Sequence, residues 1–261
     1  MALSKIELDE LRRAKNILEN PSLAAKLSAL AGAPVEKGMK LLPARWQKGV
    51  HAATEKALMK ALDIAVRTLG ERRGSSSSSD NFHKMAVATS GAIGGVFGIA
   101  ALSIELPVST GLILRSIADI AASEGENPKF IDTKLACLTV FALGSSKDSR
   151  DDAAESGYFA VRSALASAVS EASKHLAQKG LAKGGGPALV RLVSLVAARF
   201  GIVVSQKTAA QLIPVIGAAG GALINTVFIG HYQEMARGHF IVRRLEKIHG
   251  AEPIRLAYER L

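Results

Sequence analysis

Cysteine is nearly missing from this sequence: Cys137 stands alone among 261 residues, so no intrachain disulfide can form and the chain suits a reducing compartment. It lies in LACLTVFAL (residues 135–143), an apolar run with neither a base nor a positive charge to activate a thiolate, and it reads as a small buried residue. Aromatics are scarce as well. They supply 5% of the chain against 48% apolar residues overall, which leaves Ala, Leu, Ile, Val and Gly to do the packing and favours closely approaching helices over an aromatic-rich sheet. No segment alternates like a strand between turn signals. The opening MALSKIELDELRRAKNILEN is charged and amphipathic and lacks the apolar core and cleavage site of a secretory signal.

Negative charge is the next shortage. Lys and Arg number 33 against 23 Asp and Glu, a formal net charge of +10, which suits an anionic partner such as a phospholipid surface. Lys37, Lys40, Arg45 and Lys48 form one basic group, and Arg237, Arg243, Arg244 and Lys247 another. A solvated basic surface is the plainest reading of both. No nucleic-acid motif or interleaved aromatic platform accompanies them, which argues against nucleic acid as a partner.

What is present reads as helix throughout. Ser4 precedes a helical pattern of Leu8, Leu11, Ala14, Ile17 and Leu18 that Pro21 interrupts, and SLAAKLSALAG predicts a second short helix. Over residues 44–69 the apolar positions Val50, Ala53, Ala57, Leu58, Ala61, Ala65 and Leu69 fall on one face of an amphipathic helix. Trp46 at its start marks a core edge or an interfacial anchor. Further helices are predicted to start near Pro107 and near Pro128, the latter ending at Gly144, and a long one closes at Gly180. The run GSSSSSDN (residues 74–81) cannot bury apolar surface and predicts a flexible loop. It divides the chain into an amphipathic helical subdomain (1–73) packed on a helical core (82–261), the whole forming one all-α, multi-helix domain with central Gly/Ala-rich helices.

Two stretches, residues 85–104 and 208–233, carry no charged side chain if His231 is neutral, and both reach transmembrane length of roughly 20 residues. Glycines recur at four-residue spacing within them, Gly91 with Gly95 and Gly217 with Gly221, which puts small residues on one face where another backbone approaches. Both runs are rich in Ala and Gly and poor in Leu and Phe, so their hydropathy favours central core helices over spanning ones.

Three segments together resemble the EcsC protein family: ELPVSTGLILRSIADIA (105–121), FALG (141–144) and QLIPVIGAAGGALINTVFIGHYQEMARGHFIVRRLE (211–246). The resemblance spans roughly residues 83–246 and implies a bacterial protein linked to transport or secretion, without implying a reaction.

The third segment holds the candidate site. Gly217, Gly221 and Asn225 share a face, with Asn225 a polar contact in an apolar layer. Further along, His231, Glu234 and Gly238 lie in one narrow arc, with His239 less than a quarter turn away. The eight-residue separation of the histidines corresponds to roughly 12 Å of rise, so one metal ion cannot easily take both. Glu105, Arg115 and Asp119 in the first segment are charged groups in apolar surroundings and need partners, met by Arg115 with Asp119 or Arg115 with Glu234. A structural polar network is the leading reading of these residues, and a ligand or headgroup site the second.

Two functions follow. The first is a non-enzymatic protein, cytoplasmic or peripheral at the inner membrane, that binds an anionic membrane surface or a lipid-like ligand and needs no cofactor. The second is a metal-dependent hydrolase using the His231, Glu234 and His239 face with Glu105 or Asp119. No nucleophile elbow or complete metal-ligand spacing supports the second, and Gly184, Gly185 and Gly186 lack the Lys and Ser/Thr of a phosphate loop.

Overall fold

A computed structural model of the chain describes residues 3–20, 23–41, 44–69, 98–144, 157–181, 186–211 and 217–261. In chain order the helices are α1 (Lys5–Glu19), α2 (Leu23–Ala31), α3 (Val35–Leu41), α4 (Ala44–Thr68), α5 (Gly98–Ser123), α6 (Ile131–Thr139), α7 (Tyr158–Lys179), α8 (Pro187–Gln211), α9 (Gly217–His249) and α10 (Ala251–Arg260). A 3-10 turn, Val140–Ala142, follows α6 directly. The described residues contain no strand. The Ser-rich run 74–81, Gly91, Gly95 and most of the first uncharged stretch lie outside them.

Local chemistry sets several boundaries. Ser4 caps α1 with a full capping box: its Oγ accepts the Glu7 amide at 3.2 Å while the Glu7 carboxylate accepts the Ser4 amide at 2.8 Å. Gly180 closes α7 with φ +60, a conformation other residues rarely adopt. Other boundaries depart from expectation. Pro107 lies inside α5 and does not start it, and α6 begins at Ile131, beyond the turn that holds Pro128. The packing of α5 along α4 carries the helix through the proline, because tertiary burial outweighs the loss of one backbone donor.

The helices pack into one domain around α9. It touches α1 and α2 on one side, α5 on another, and α8 and the 3-10 turn on a third. The N-terminal helices are therefore part of the same core: Leu11, Ala14, Leu27, Ala57 and Leu58 are fully buried in the cluster that holds Phe228 and Phe240. The scarce aromatics are concentrated there. Phe141, Phe200, Phe228 and Tyr232 stack in tilted and edge-on pairs with centroids 4.9 to 6.1 Å apart. Each such pair adds about 1 kcal/mol beyond area burial.

Small residues let α9 come close to its neighbours. Gly221 is buried near its start. At Gly238 a β-carbon would stand 2.8 Å from Leu18 Cγ of α1, so only glycine fits that crossing without displacing its partner. Among the described residues α8 is the one helix long and apolar enough to cross a membrane, yet 44% of its most apolar stretch is buried within the fold. Cys137 is buried, and burial holds its thiol well above the ordinary range.

Candidate functional site

Among the described residues α9 carries four buried polar side chains: Asn225, His231, Gln233 and His239. Along α9 the polar side chains reach several neighbours, and His231, Glu234 and His239, expected to share a face, are drawn to different ones. Asn225 donates through Nδ2 to Glu105 Oε1 of α5 at 3.1 Å, and the same oxygen receives Lys207 Nζ of α8 at 2.5 Å. Lys207 is completely buried and lies 5.0 Å from the Phe228 ring centroid. Glu105 thus pairs with Lys207, the one Lys, Arg, Asp or Glu between Arg199 and Glu234, which is the sequence signal that was there to find. Gln233 donates to Ser116 Oγ of α5 at 2.8 Å.

Glu234 does not meet Arg115. Its carboxylate takes both hydrogen bonds from Lys26 of α2, at 2.9 and 3.0 Å, at a half-exposed position. Arg115 and Asp119 sit half-buried on α5, and Asp119 has an interaction partner. The helical turn of α9 sends Glu234 toward α2 while α5 flanks another side, so a cross-helix pair with Arg115 does not form.

His231 points to the segment after α6. Gly144, at φ +79, lies so close to the ring that a β-carbon there would stand 2.5 Å from His231 Nε2 and 2.9 Å from Met235 Cγ. The FALG and HYQEM portions of the sequence are thereby in direct contact. Burial pushes the His231 imidazole down to about 4, the charge of Lys26 adds to the depression, and the Gly144 backbone opposes it. An unfolded histidine titrates near 6.5, so His231 favours the folded state fully above that pH and loses this contribution as pH falls toward 4. The expected loss is about 3 kcal/mol between pH 7 and pH 4, and a His231→Leu variant should lack that component when urea unfolding is compared at the two pH values.

His239 faces α7, away from both. Its Nδ1 lies 2.9 Å from Tyr158 Oη, and Arg162 Nη1 lies 3.3 Å from the same oxygen. Arg162 is held in turn by a two-point contact with Glu246, at 2.8 and 3.0 Å. The other ring nitrogen of His239, Nε2, is buried without a hydrogen-bond partner. Burial, aided by the charges of Arg162 and Arg243, holds this histidine well below its usual range, so it is neutral at pH 7.

His239 is among the residues lining a cleft of about 530 Å³ between α6, α7 and α9. Leu143, Leu165 and Val169 are its large apolar residues, Arg162, Lys174 and Arg243 its cations, and Asp132 with the hydroxyls of Thr139, Ser170 and Ser173 completes its polar lining. Arg243 gives only its Nε–H to Glu126, at 3.0 Å. Lys174 is exposed and has no ion pair among the described residues. Glu126 is almost fully buried and also receives Lys247 at 2.8 Å and Thr133 Oγ1 at 2.9 Å. Burial acts to raise its carboxyl, but Lys247, Arg243 and Thr133 outweigh that and hold it below the ordinary carboxylate range.

The basic group near the end of the sequence is therefore not a uniformly solvated patch. Arg243 and Lys247 meet Glu126, and Arg244 meets Glu10 and Glu124 at 3.0 and 2.9 Å. Of the residues lining this cleft, His239 was anticipated as a site residue, whereas Arg162 and Lys174 were not, nor was Tyr158, which bonds to His239. The cleft's helix faces are legible afterwards: Arg162, Leu165, Val169 and Ser173 recur at helical spacing on α7, and His239 with Arg243 on α9. Among the described residues no three His, Cys, Asp or Glu side chains are placed to hold a metal ion.

An all-helical domain threaded by one long polar-studded helix, with an amphipathic cleft beside it, is the class of protein these features define. The chain belongs to the EcsC protein family, whose sequence model matches residues 5–245. That match takes in α1 to α4, which the sequence resemblance had left largely aside and which the fold joins to α9. No curated protein and no solved structure matches the chain.

Proposed function

We propose that this EcsC-family chain is a non-enzymatic binding protein that takes an anionic, lipid-like ligand in the cleft between α6, α7 and α9 and works peripherally at a membrane. The observation that carries the reading is a cleft that sets Leu143, Leu165 and Val169 against Lys174 and Arg243, with His239, whose buried Nε2 has no hydrogen-bond partner, among its lining. Leu143, Leu165 and Val169 suit an acyl or alkyl chain, and Lys174 and Arg243 suit a negative head. The excess of basic over acidic residues, 33 against 23, favours an anionic membrane as the source of such a ligand.

Dodecyl phosphate tests the reading in three comparisons. The wild-type chain should bind it saturably below its micelle concentration, more tightly than inorganic phosphate, which has the head without the tail. Val169→Glu, checked for unchanged helicity, should weaken binding more than tenfold, or 1.4 kcal/mol, because it sets a charge against the tail. Liposomes with anionic lipid should retain the protein at low salt and release it as salt rises, since screening acts over about 8 Å at 0.15 M. Equal binding by Val169→Glu, or binding only above the micelle concentration, would contradict the cleft as the site.

A further inference from the structure

Apolar exposure is concentrated at one end of the fold. Among the described residues the three most exposed large apolar side chains are Ile6, Phe130 and Ile248, at 74%, 64% and 58%. Single exposed apolar residues are ordinary on a protein surface, but these three stand on elements that ion pairs fasten together. α1 and α9 run antiparallel, with Glu7 on His249, Glu10 on Arg244, and Ala14 and Leu18 against Gly238. Ile6 lies one turn before Glu10 and Ile248 one turn after Arg244, so both stand just beyond that ion pair at the end of the helix pair. Arg244 also takes Glu124, and Arg243 and Lys247 take Glu126, which brings the turn between α5 and α6 to the same end. Phe130 closes that turn: its amide donates to the Asn127 carbonyl and the Lys129 amide to Asn127 Oδ1, both at 3.0 Å.

The charges at this end decide what covers it. Lys5 and Lys129, each adjacent in sequence to one of the exposed apolar residues, are exposed and have no ion pair among the described residues. The carboxylates of Glu7, Glu10, Glu124 and Glu126 are engaged by the side chains of α9, and Glu252 at the start of α10 is held by Arg255 at 2.7 Å. Asp132 accepts from Ser173 Oγ at 2.8 Å and lines the cleft. Lysines beside apolar side chains suit a lipid–water interface, where the apolar groups enter the acyl boundary and the ammonium groups stay at the level of the phosphates. A protein partner fits less well, because lysine is depleted in such interfaces. Resting on the peripheral-membrane reading above, we infer that this end is the membrane-contacting surface: Ile6, Phe130 and Ile248 enter the interface of an anionic bilayer, and Lys5 and Lys129 meet its phosphates. Asp132 is two residues beyond Phe130, so a bilayer held at this end lies beside the cleft.

The test uses the full-length chain and vesicles of phosphatidylcholine with phosphatidylglycerol at low salt. Phe130→Ser and Ile248→Ser should each bind about tenfold more weakly than wild type through lost apolar insertion. Lys129→Gln should lose about fivefold, an effect that disappears at high salt. Leu223→Ser supplies the comparison: Leu223 is 53% exposed but lies roughly 37 Å back along α9 from Ile248, and its variant should bind as wild type does. All of these replace exposed side chains, so circular dichroism should show an unchanged fold. Wild-type binding with Phe130→Ser and Ile248→Ser both unaffected, or with Leu223→Ser weakened equally, would overturn the inference and leave the peripheral reading standing. A wild-type dimer that Phe130→Ser splits, seen by sedimentation, would put a second copy on this end and also overturn it. Failure of wild type to bind these vesicles would overturn the inference and the peripheral reading together, whereas dodecyl phosphate binding in the cleft is measured without vesicles.

Discussion

Lys207→Met is expected to cost the fold about 3 to 5 kcal/mol, because it strands the Glu105 carboxylate in the interior without its counter-charge. Lys207 is 0% exposed and Glu105 8%, and their contact is a single 2.5 Å hydrogen-bonded ion pair supported by Asn225. Removing a charge from water costs several kcal/mol even after the surroundings relax, so a half-broken pair is worse than none. The double variant Lys207→Met with Glu105→Leu should therefore recover most of the loss. It should fall short of wild type by about 1 kcal/mol, since Asn225 Nδ2 then loses its acceptor. Urea unfolding of the two single variants and the double variant measures the coupling directly. A loss below about 1 kcal/mol in Lys207→Met would mean that water or another group reaches the pair.

Gly144→Ala is expected to cost about 2 to 4 kcal/mol, from two sources that add. The residue sits at φ +79, where any side chain costs about 1 kcal/mol or more. Its β-carbon would also stand 2.5 Å from His231 Nε2 and 2.9 Å from Met235 Cγ, both on the buried side of α9. Overpacking of this kind costs about 1 to 3 kcal/mol. Gly125→Ala supplies the comparison, since Gly125 has φ +82 but nothing within 4 Å of its β-carbon position. Thermal unfolding should show Gly144→Ala losing at least twice as much stability as Gly125→Ala. Equal losses would mean that the close packing of FALG on His231 contributes nothing.

The parts of this fold that were legible in the sequence are those set by local chemistry. The Ser4 cap with Glu7, the buried face of α4 and the glycine at the end of α7 each depend on residues within a turn or two. Pro107 was misread for the same reason: a proline favours a helix start locally, and the packing that carries α5 through it comes from α4, far along the chain. Partner choice was the least legible. His231, Glu234 and His239 look like one face on a helical projection, but α9 is surrounded, so the small angular offsets between them select Gly144, Lys26 and Tyr158 as separate neighbours. Lys207 was hidden among the polar Ser205, Gln206 and Thr208, although it is the one charged residue between Arg199 and Glu234 and Glu105 was already marked as an acid in need of a partner. The cleft was illegible because its walls come from three helices, each contributing a face that looks ordinary alone.

The most direct test of the binding reading is a titration of the ¹⁵N-labelled full chain with dodecyl phosphate below its micelle concentration, following every backbone amide and the His239 side chain. The cleft reading predicts saturable shifts that share one dissociation constant and cluster at Leu143, Leu165, Val169, Lys174, His239 and Arg243. Shifts confined to other surfaces, or no saturable shift at all, would contradict it.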